Sequence, residues 1–278
     1  MLLTVCGVRG SVPVAGPTTI EVGGNTSCIA VAHDDGVPRL VLDAGTGIRR
    51  LPELLGGQPF RGAIILGHLH WDHMIGLPFC PSIDRPDAAV RMLVPEQGIP
   101  AVELVAHAMS PPAFPIRPEM LRGDWSFETY DEGSAEIEGF TVTTREIPHS
   151  AGRTMGIRVS NSTSSIAYLS DHAPHLLDPG HDGLGGCHES ALALADGVDL
   201  LIHDSQYTAE ELPARAAFGH SAVDYPIRLA EAAGAKAVLL FHHDPNRTDD
   251  QVAEIERIAQ KNTALPVTAA REGQLHRV

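Results

Sequence analysis

Positive charge is scarce in this chain. Its 20 Lys and Arg stand against 35 Asp and Glu, giving a net charge of −15 at pH 7 with histidine neutral. Gripping a nucleic-acid backbone needs a basic surface, because neutralising phosphates and releasing their counterions drives that binding. The charge balance therefore argues against an extended nucleic-acid footprint. It leaves open a small phosphorylated substrate, since a bound cation reverses the field locally. Cysteine is scarce too. Cys6, Cys28, Cys80 and Cys187 are scattered, with no C-x-x-C pair. That pattern fits reduced, mostly buried thiols in a cytoplasmic protein. No apolar run approaches the ~18 residues that mark a membrane helix. The start, "MLLTVCGVRGSVP", lacks the basic region, sustained apolar core and cleavage site of a signal peptide. We expect no membrane span and a cytoplasmic location.

What is present suits an ordinary globular protein: 278 residues, 43% hydrophobic and 20% charged, enough for one large domain or two small ones. No internal repeat or low-complexity tract occurs. Apolar runs bounded by Gly or Asp predict strands at 26–33, 39–45, 62–68 and 88–95, with a short helix near 75–79. A helix is predicted at 100–109, followed by "SPPAFPIRP" (110–118), too rich in proline for either element. Further strands are predicted at 140–149, 155–160, 165–171, 198–204, 235–243 and 265–270, and helices at 189–196, 222–234 and 248–262. Thr248 and Gln251 have the spacing of a capping box at the start of the last helix. Strands first, then strands mixed with helices in both halves, predict an α/β architecture with two sheets between helix layers.

Fifteen histidines are many for this length, and their positions are informative. "ILGHLHWDHMIGLP" (65–78) places His68, His70, Asp72 and His73 within six positions. Residues i and i+2 of an extended chain face the same way, so His68 and His70 can converge on one ion. Asp72 and His73 fall where the chain turns into a short helix, whose N-terminus favours a carboxylate. Imidazole and carboxylate suit zinc and similar divalent ions. H-x-H-x-D-H arises by chance in roughly a few of every thousand such chains, so a metal site is favoured over a solvated His-rich turn. His149, Asp171 with His172, and His242 with His243 each close a predicted strand. Strand ends gather on one sheet edge, where such folds place ligands, so these residues are expected to share the site.

In this order, H-x-H-x-D-H followed by a lone His, a lone Asp and a late His resembles the metallo-β-lactamase superfamily. The resemblance covers nearly the whole chain. "GVRGSVP", "GGNTS", "YLSDH", "LLIHDSQYT", "GHS" and "LLFHHDPNRTDD" resemble the branch of phosphoribosyl cyclic phosphate phosphodiesterases and tRNA 3′-processing endonucleases (ribonuclease Z-like). It implies one domain over 1–278, a four-layer αββα sandwich, and two divalent metal ions, zinc first, with manganese or iron as alternatives. Position by position, His68, His70 and His149 would hold one ion, Asp72, His73 and His242 the other, and Asp171 would bridge them. His242 is preferred to His243 because it directly follows the apolar strand. Asp72 would also orient the nucleophile, and His220 in "GHS" would protonate the leaving group. Asp204, His203, His172 and His243 would orient these groups.

Two ions roughly 3.5–4 Å apart share a hydroxide and clamp phosphate oxygens. The resemblance therefore implies a metal-dependent phosphodiesterase for a small cyclic or short diester. Only residues 150–170 separate His149 from Asp171, which leaves no room for the tRNA-gripping arm that bacterial relatives insert there. tRNA 3′ processing is accordingly less favoured. The same ligands also serve lactonases and other ester or amide hydrolases, which stand as the alternative. Segment 96–125 is a lid candidate, with Phe114 available to cover a base or sugar. Dimers are frequent in the family, so a homodimer is one oligomeric state the resemblance allows.

Overall fold

The computed structural model describes residues 1–278. Its strands are β1 (Leu2–Gly7), β2 (Cys28–Ala32), β3 (Pro38–Leu42), β4 (Arg61–Ile65), β5 (Ala89–Pro95), β6 (Asp124–Tyr130), β7 (Gly133–Ile137), β8 (Phe140–Ile147), β9 (Thr154–Ser160), β10 (Ser165–Leu169), β11 (Leu200–Asp204), β12 (Val238–Phe241), β13 (Val267–Ala269) and β14 (Leu275–Arg277). They form two seven-stranded sheets, ordered β14-β1-β2-β3-β4-β5-β6 and β13-β12-β11-β10-β9-β8-β7. In the first sheet, β3 to β6 run parallel. In the second, β10 to β13 do.

Side-chain alternation builds the layers. Leu40 and Leu42 of β3 face the core between the sheets, where they join Ile157, Tyr168 and Phe241 of the opposite sheet. Val41 points the other way and packs with Ile48, Leu51 and Leu104 beneath the first helix layer. Leu201 and Leu240 do the same on the second sheet, under Leu194, Leu229 and Ala259 of the helices Glu189–Ala195, Asp224–Ala233 and Asp249–Lys261. Burying each such side chain contributes about 1.5–3 kcal/mol. The result is the four-layer αββα sandwich expected from the sequence. The capping box of Thr248 and Gln251 is formed. No helix is long and apolar enough to cross a membrane.

Four strands are additional to those expected from the sequence. β1 is a central strand, buried at nearly every position and paired with both β2 and β14. β6 and β7 are the terminal strands of their sheets; β7 is largely exposed and β6 mostly half-buried, with polar residues breaking up its aromatic ones. β14 has only three residues. The segment expected as a short helix at 75–79 is instead a pair of 3₁₀ turns, Trp71–His73 and Leu77–Phe79.

Candidate metal centre and active site

The parallel strands of both sheets end at one edge, and the candidate residues sit just beyond those ends. β4 stops at Ile65, so His68 and His70 lie in the following turn rather than on the strand itself. They still converge, with ring centroids 4.4 Å apart. Asp72 and His73 belong to the 3₁₀ turn. His149 follows β8, Asp171 follows β10 and His242 follows β12.

Asp171 divides its two oxygens between two groups of ligands. Oδ1 lies 3.0 Å from His73 Nε2 and 3.1 Å from His242 Nε2. Oδ2 lies 3.6 Å from His68 Nε2 and 3.4 Å from His149 Nε2. His149 Nε2 is 3.3 Å from His70 Nδ1, and Asp72 Oδ2 is 3.2 Å from both His73 Nε2 and His242 Nε2. Three overlapping groups with metal-binding reach result: His68, His70, His149 and Asp171; Asp72, His73 and His242; and Asp171, His220 and His242. Four donors at 2.0–2.1 Å around a tetrahedral ion stand about 3.3 Å from one another, and the observed separations bracket that spacing. His68 Nε2, His73 Nε2 and Asp171 Oδ1 are buried without a hydrogen-bond partner. Such atoms are costly unless something satisfies them, and a cation between them would do so. The donor set fits a divalent metal.

The electrostatics carry the same demand for positive charge. Burial alone would raise Asp171, but His242, His73 and His68 hold its carboxyl well below the usual range. Burial opposes a proton on His73, yet Asp72, Asp171 and Asp43 together raise it well above an ordinary histidine. Burial, reinforced by His73, pushes His68 well down.

The candidate ligand rings are fixed from behind. His73 donates from Nδ1 to Asp43 Oδ2 (2.7 Å), which also accepts from the Tyr168 hydroxyl (2.6 Å). Gly67 N–H donates to the other Asp43 oxygen. His149 donates from Nδ1 to Gly219 O (2.6 Å), and His242 from Nδ1 to Gln206 Oε1 (2.9 Å). Each bond selects the tautomer that presents Nε2 to the site. Ser11 N–H donates to Asp72 Oδ2 at 2.7 Å. Asp43, Gln206 and Ser11 are further candidate site residues; Ser11 and Gln206 lie within the motifs "GVRGSVP" and "LLIHDSQYT" without a role assigned to them there, and Asp43 lies in none. The available signal is position, since Asp43 closes β3 as Asp171 closes β10. Of the five non-glycine residues with positive φ, Ser11, Asp43 and His242 belong to the site and Ala151 lies two residues past His149. Strained backbone of this kind persists where its surroundings enforce it.

The remaining predicted residues divide. His220 lines the pocket and donates from Nδ1 to Asp204 Oδ2 (2.8 Å), so Asp204 positions His220. Two neighbours of the site face away from it. The ring of His243 turns to Ala270 O, 3.0 Å from Nε2, whereas His242 enters the cluster. The ring of His172 sits between His203 and His188, 2.8 Å from each. What His172 gives the site is its backbone N–H, directed at Asp204 Oδ2 (3.3 Å). In both pairs, Asp171 with His172 and His242 with His243, the two side chains diverge just past a strand end, and at His242 the backbone turns through a positive φ of 58°. His203 donates to Asp204 O and stays in that buried histidine row. No residue of 96–125, Phe114 included, lines the pocket over the metal ligands. That segment packs beside it, with Phe114 edge-on to Phe79. The pocket measures about 440 Å³, and Trp71, Tyr207 and Phe218 are the large aromatic residues lining it.

Residues 38–243, more than half of the chain, match the family model described as the Beta-lactamase superfamily domain. Ribonuclease Z of Aeropyrum pernix is 32% identical over 126 residues, which cover 45% of this chain and 34% of that protein. The match thus spans about a third of the relative's length. The metallo-beta-lactamase fold protein YhfI from Bacillus subtilis superposes with a TM-score of 0.73 at 17% identity, over 99% of each chain. A diphosphatase from the PhnP family superposes with a TM-score of 0.69 at 17% identity, over 100% of this chain and 97% of the other. At these identities the structural likenesses establish the fold.

Proposed function

The chain belongs to the beta-lactamase superfamily, and from that premise we propose that it is a metal-dependent phosphodiesterase acting in the cytoplasm on a small cyclic or short diester. The observation that carries the reading is Asp171, with one oxygen toward each group of histidines. His68, His70 and His149 would hold one divalent ion, Asp72, His73 and His242 a second, with Asp171 shared. The mixed nitrogen and oxygen donors suit zinc, and also manganese or iron. Such a pair of ions supplies Lewis acidity and water acidified toward neutrality.

The chain's own groups do the rest. Ser11 N–H fixes the Asp72 oxygen that faces His73 and His242. With Nδ1 committed to Asp204, His220 exchanges a proton through Nε2, which suits an alkoxide leaving group. The ribonuclease Z match and the likeness to a diphosphatase support a phosphoryl substrate. The hairpin β9–β10 occupies the stretch between His149 and Asp171, and together with the acidic charge this weighs against tRNA. A second reading, hydrolysis of an uncharged ester or lactone, draws on one observation: neither Lys nor Arg lines the pocket. Metal-loaded protein assayed on bis-p-nitrophenyl phosphate and on a panel of lactones and β-lactams separates the two. Turnover confined to the diester supports the first reading, and turnover confined to the carbonyl substrates overturns it.

A further inference from the structure

Beside the metal pocket lies a second cavity of about 330 Å³, lined by Trp71, Ile75, Phe79, Val105, Met109 and Phe114 among others, and almost wholly apolar. Trp71 lines both cavities, so the two adjoin across its indole. Trp71 stands between the candidate metal ligands His70 and Asp72 in the chain, and its indole borders the pocket that they line. Trp71 is 72% exposed, Phe79 56% and Ile75 42%. Large apolar groups at the mouth of a reaction site, next to a ready-made groove, are the usual means of taking up an apolar part of a ligand. Phe79 and Phe114 meet edge to face at 5.8 Å and 88°, an arrangement that leaves ring faces and edges for another aromatic.

The charges restrict the choice further. The metal pocket offers a diester Asp72 and Asp171 with their ions, and His220, but neither Lys nor Arg. One phosphodiester charge can be met there. A second phosphoryl or carboxylate group on the substrate would find no Lys or Arg in either lining, and placing it in the apolar groove would cost its hydration without a partner.

We propose that this groove is the specificity subsite of the diesterase and holds an uncharged aromatic ester group of the substrate, the part that is not the leaving group. The proposal rests on the diesterase reading. The substrate class is then a monoanionic diester with an aromatic substituent, not a phosphorylated sugar.

The test uses two diesters that share a trifluoroethoxide leaving group and carry either methyl or 2-naphthylmethyl as the second ester, followed by fluorine NMR. The expected kcat/KM is at least about tenfold higher for the naphthylmethyl diester. Phe79→Ala with Phe114→Ala, and separately the groove-filling Ala108→Trp, bring that ratio to within about threefold. A binding readout runs beside it: Trp71 emission in metal-loaded protein with Trp125→Phe, titrated with phenylphosphonate and methylphosphonate. Phenylphosphonate is expected to bind at least about fivefold more tightly. Ratios near one in both experiments overturn the proposal, as does an Ala108→Trp variant that changes the protein's mass in light scattering and leaves the ratio intact, since the groove then joins two copies of the chain. If neither diester is cleaved while phenylphosphonate is still preferred, the diesterase reading fails and the subsite stands.

Discussion

His220 donates from Nδ1 to Oδ2 of Asp204 across 2.8 Å, and both side chains are buried. Burial pushes this histidine down, but Asp204, with Asp171 and Asp72 adding to it, outweighs burial and raises it from 6.5 to about 9. A proton held in this way is present below that value and lost above it. Cations beside Asp171 and Asp72 oppose the rise, so the basic limb of the kcat profile in loaded enzyme is expected below pH 9. Asp204→Asn should shift that limb toward 6.5, and His220→Gln should cost about 10²-fold or more in kcat with both ions retained. A pH-rate profile paired with metal analysis checks this.

Asp43 is expected to matter to the metal without touching it. Its carboxylate orients His73 and is held by the Tyr168 hydroxyl and Gly67 N–H. Asp43→Asn should weaken metal retention about 10- to 100-fold, read by competition with a calibrated chelator. Unchanged affinity would mean that His73 needs no such partner.

Gly10 has no room for a side chain, since a Cβ there would collide with the His242 ring and Gln206 Oε1. Gly10→Ala should therefore displace His242, lower metal content to about one ion per chain and cut activity with it. Metal analysis of the purified variant decides.

Acid should destabilise the fold through histidines that the site does not use. Burial is the main cause that lowers His203 from 6.5 to about 4 and His243 from 6.5 to about 3. The folded chain refuses protons that the unfolded chain accepts below 6.5. Stability should therefore fall as pH drops from about 6.5 toward 4 and 3, with each of these histidines costing about 1.4 kcal/mol per pH unit within its own window. Urea midpoints across that range, taken in chelator so that metal loss does not enter, should fall less steeply for His243→Gln than for wild type.

The sequence made the cluster legible where local geometry was enough. The i, i+2 spacing of His68 and His70 survives even though the strand stops at Ile65. His149, Asp171 and His242 stand out because each closes a predicted strand at a shared sheet edge. Asp43 was not legible, because its role depends on a positive φ and on Tyr168, 125 positions away. His172 and His243 were expected to support the site rather than hold the metal; their rings turn away from it, and His172 supports it through its backbone N–H to Asp204. Phe114 lies on a loop whose packing against Phe79 no periodicity records.

A shared Asp171 is tested most simply by anomalous diffraction from crystals of metal-loaded protein, with Asp171→Asn alongside. Two ions are expected in wild type, one within the histidines His68, His70 and His149 and one at Asp72, His73 and His242, with one oxygen of Asp171 on each. At least one ion should be lost in Asp171→Asn. A single ion in wild type, or two ions undisturbed in the variant, would refute the shared carboxylate.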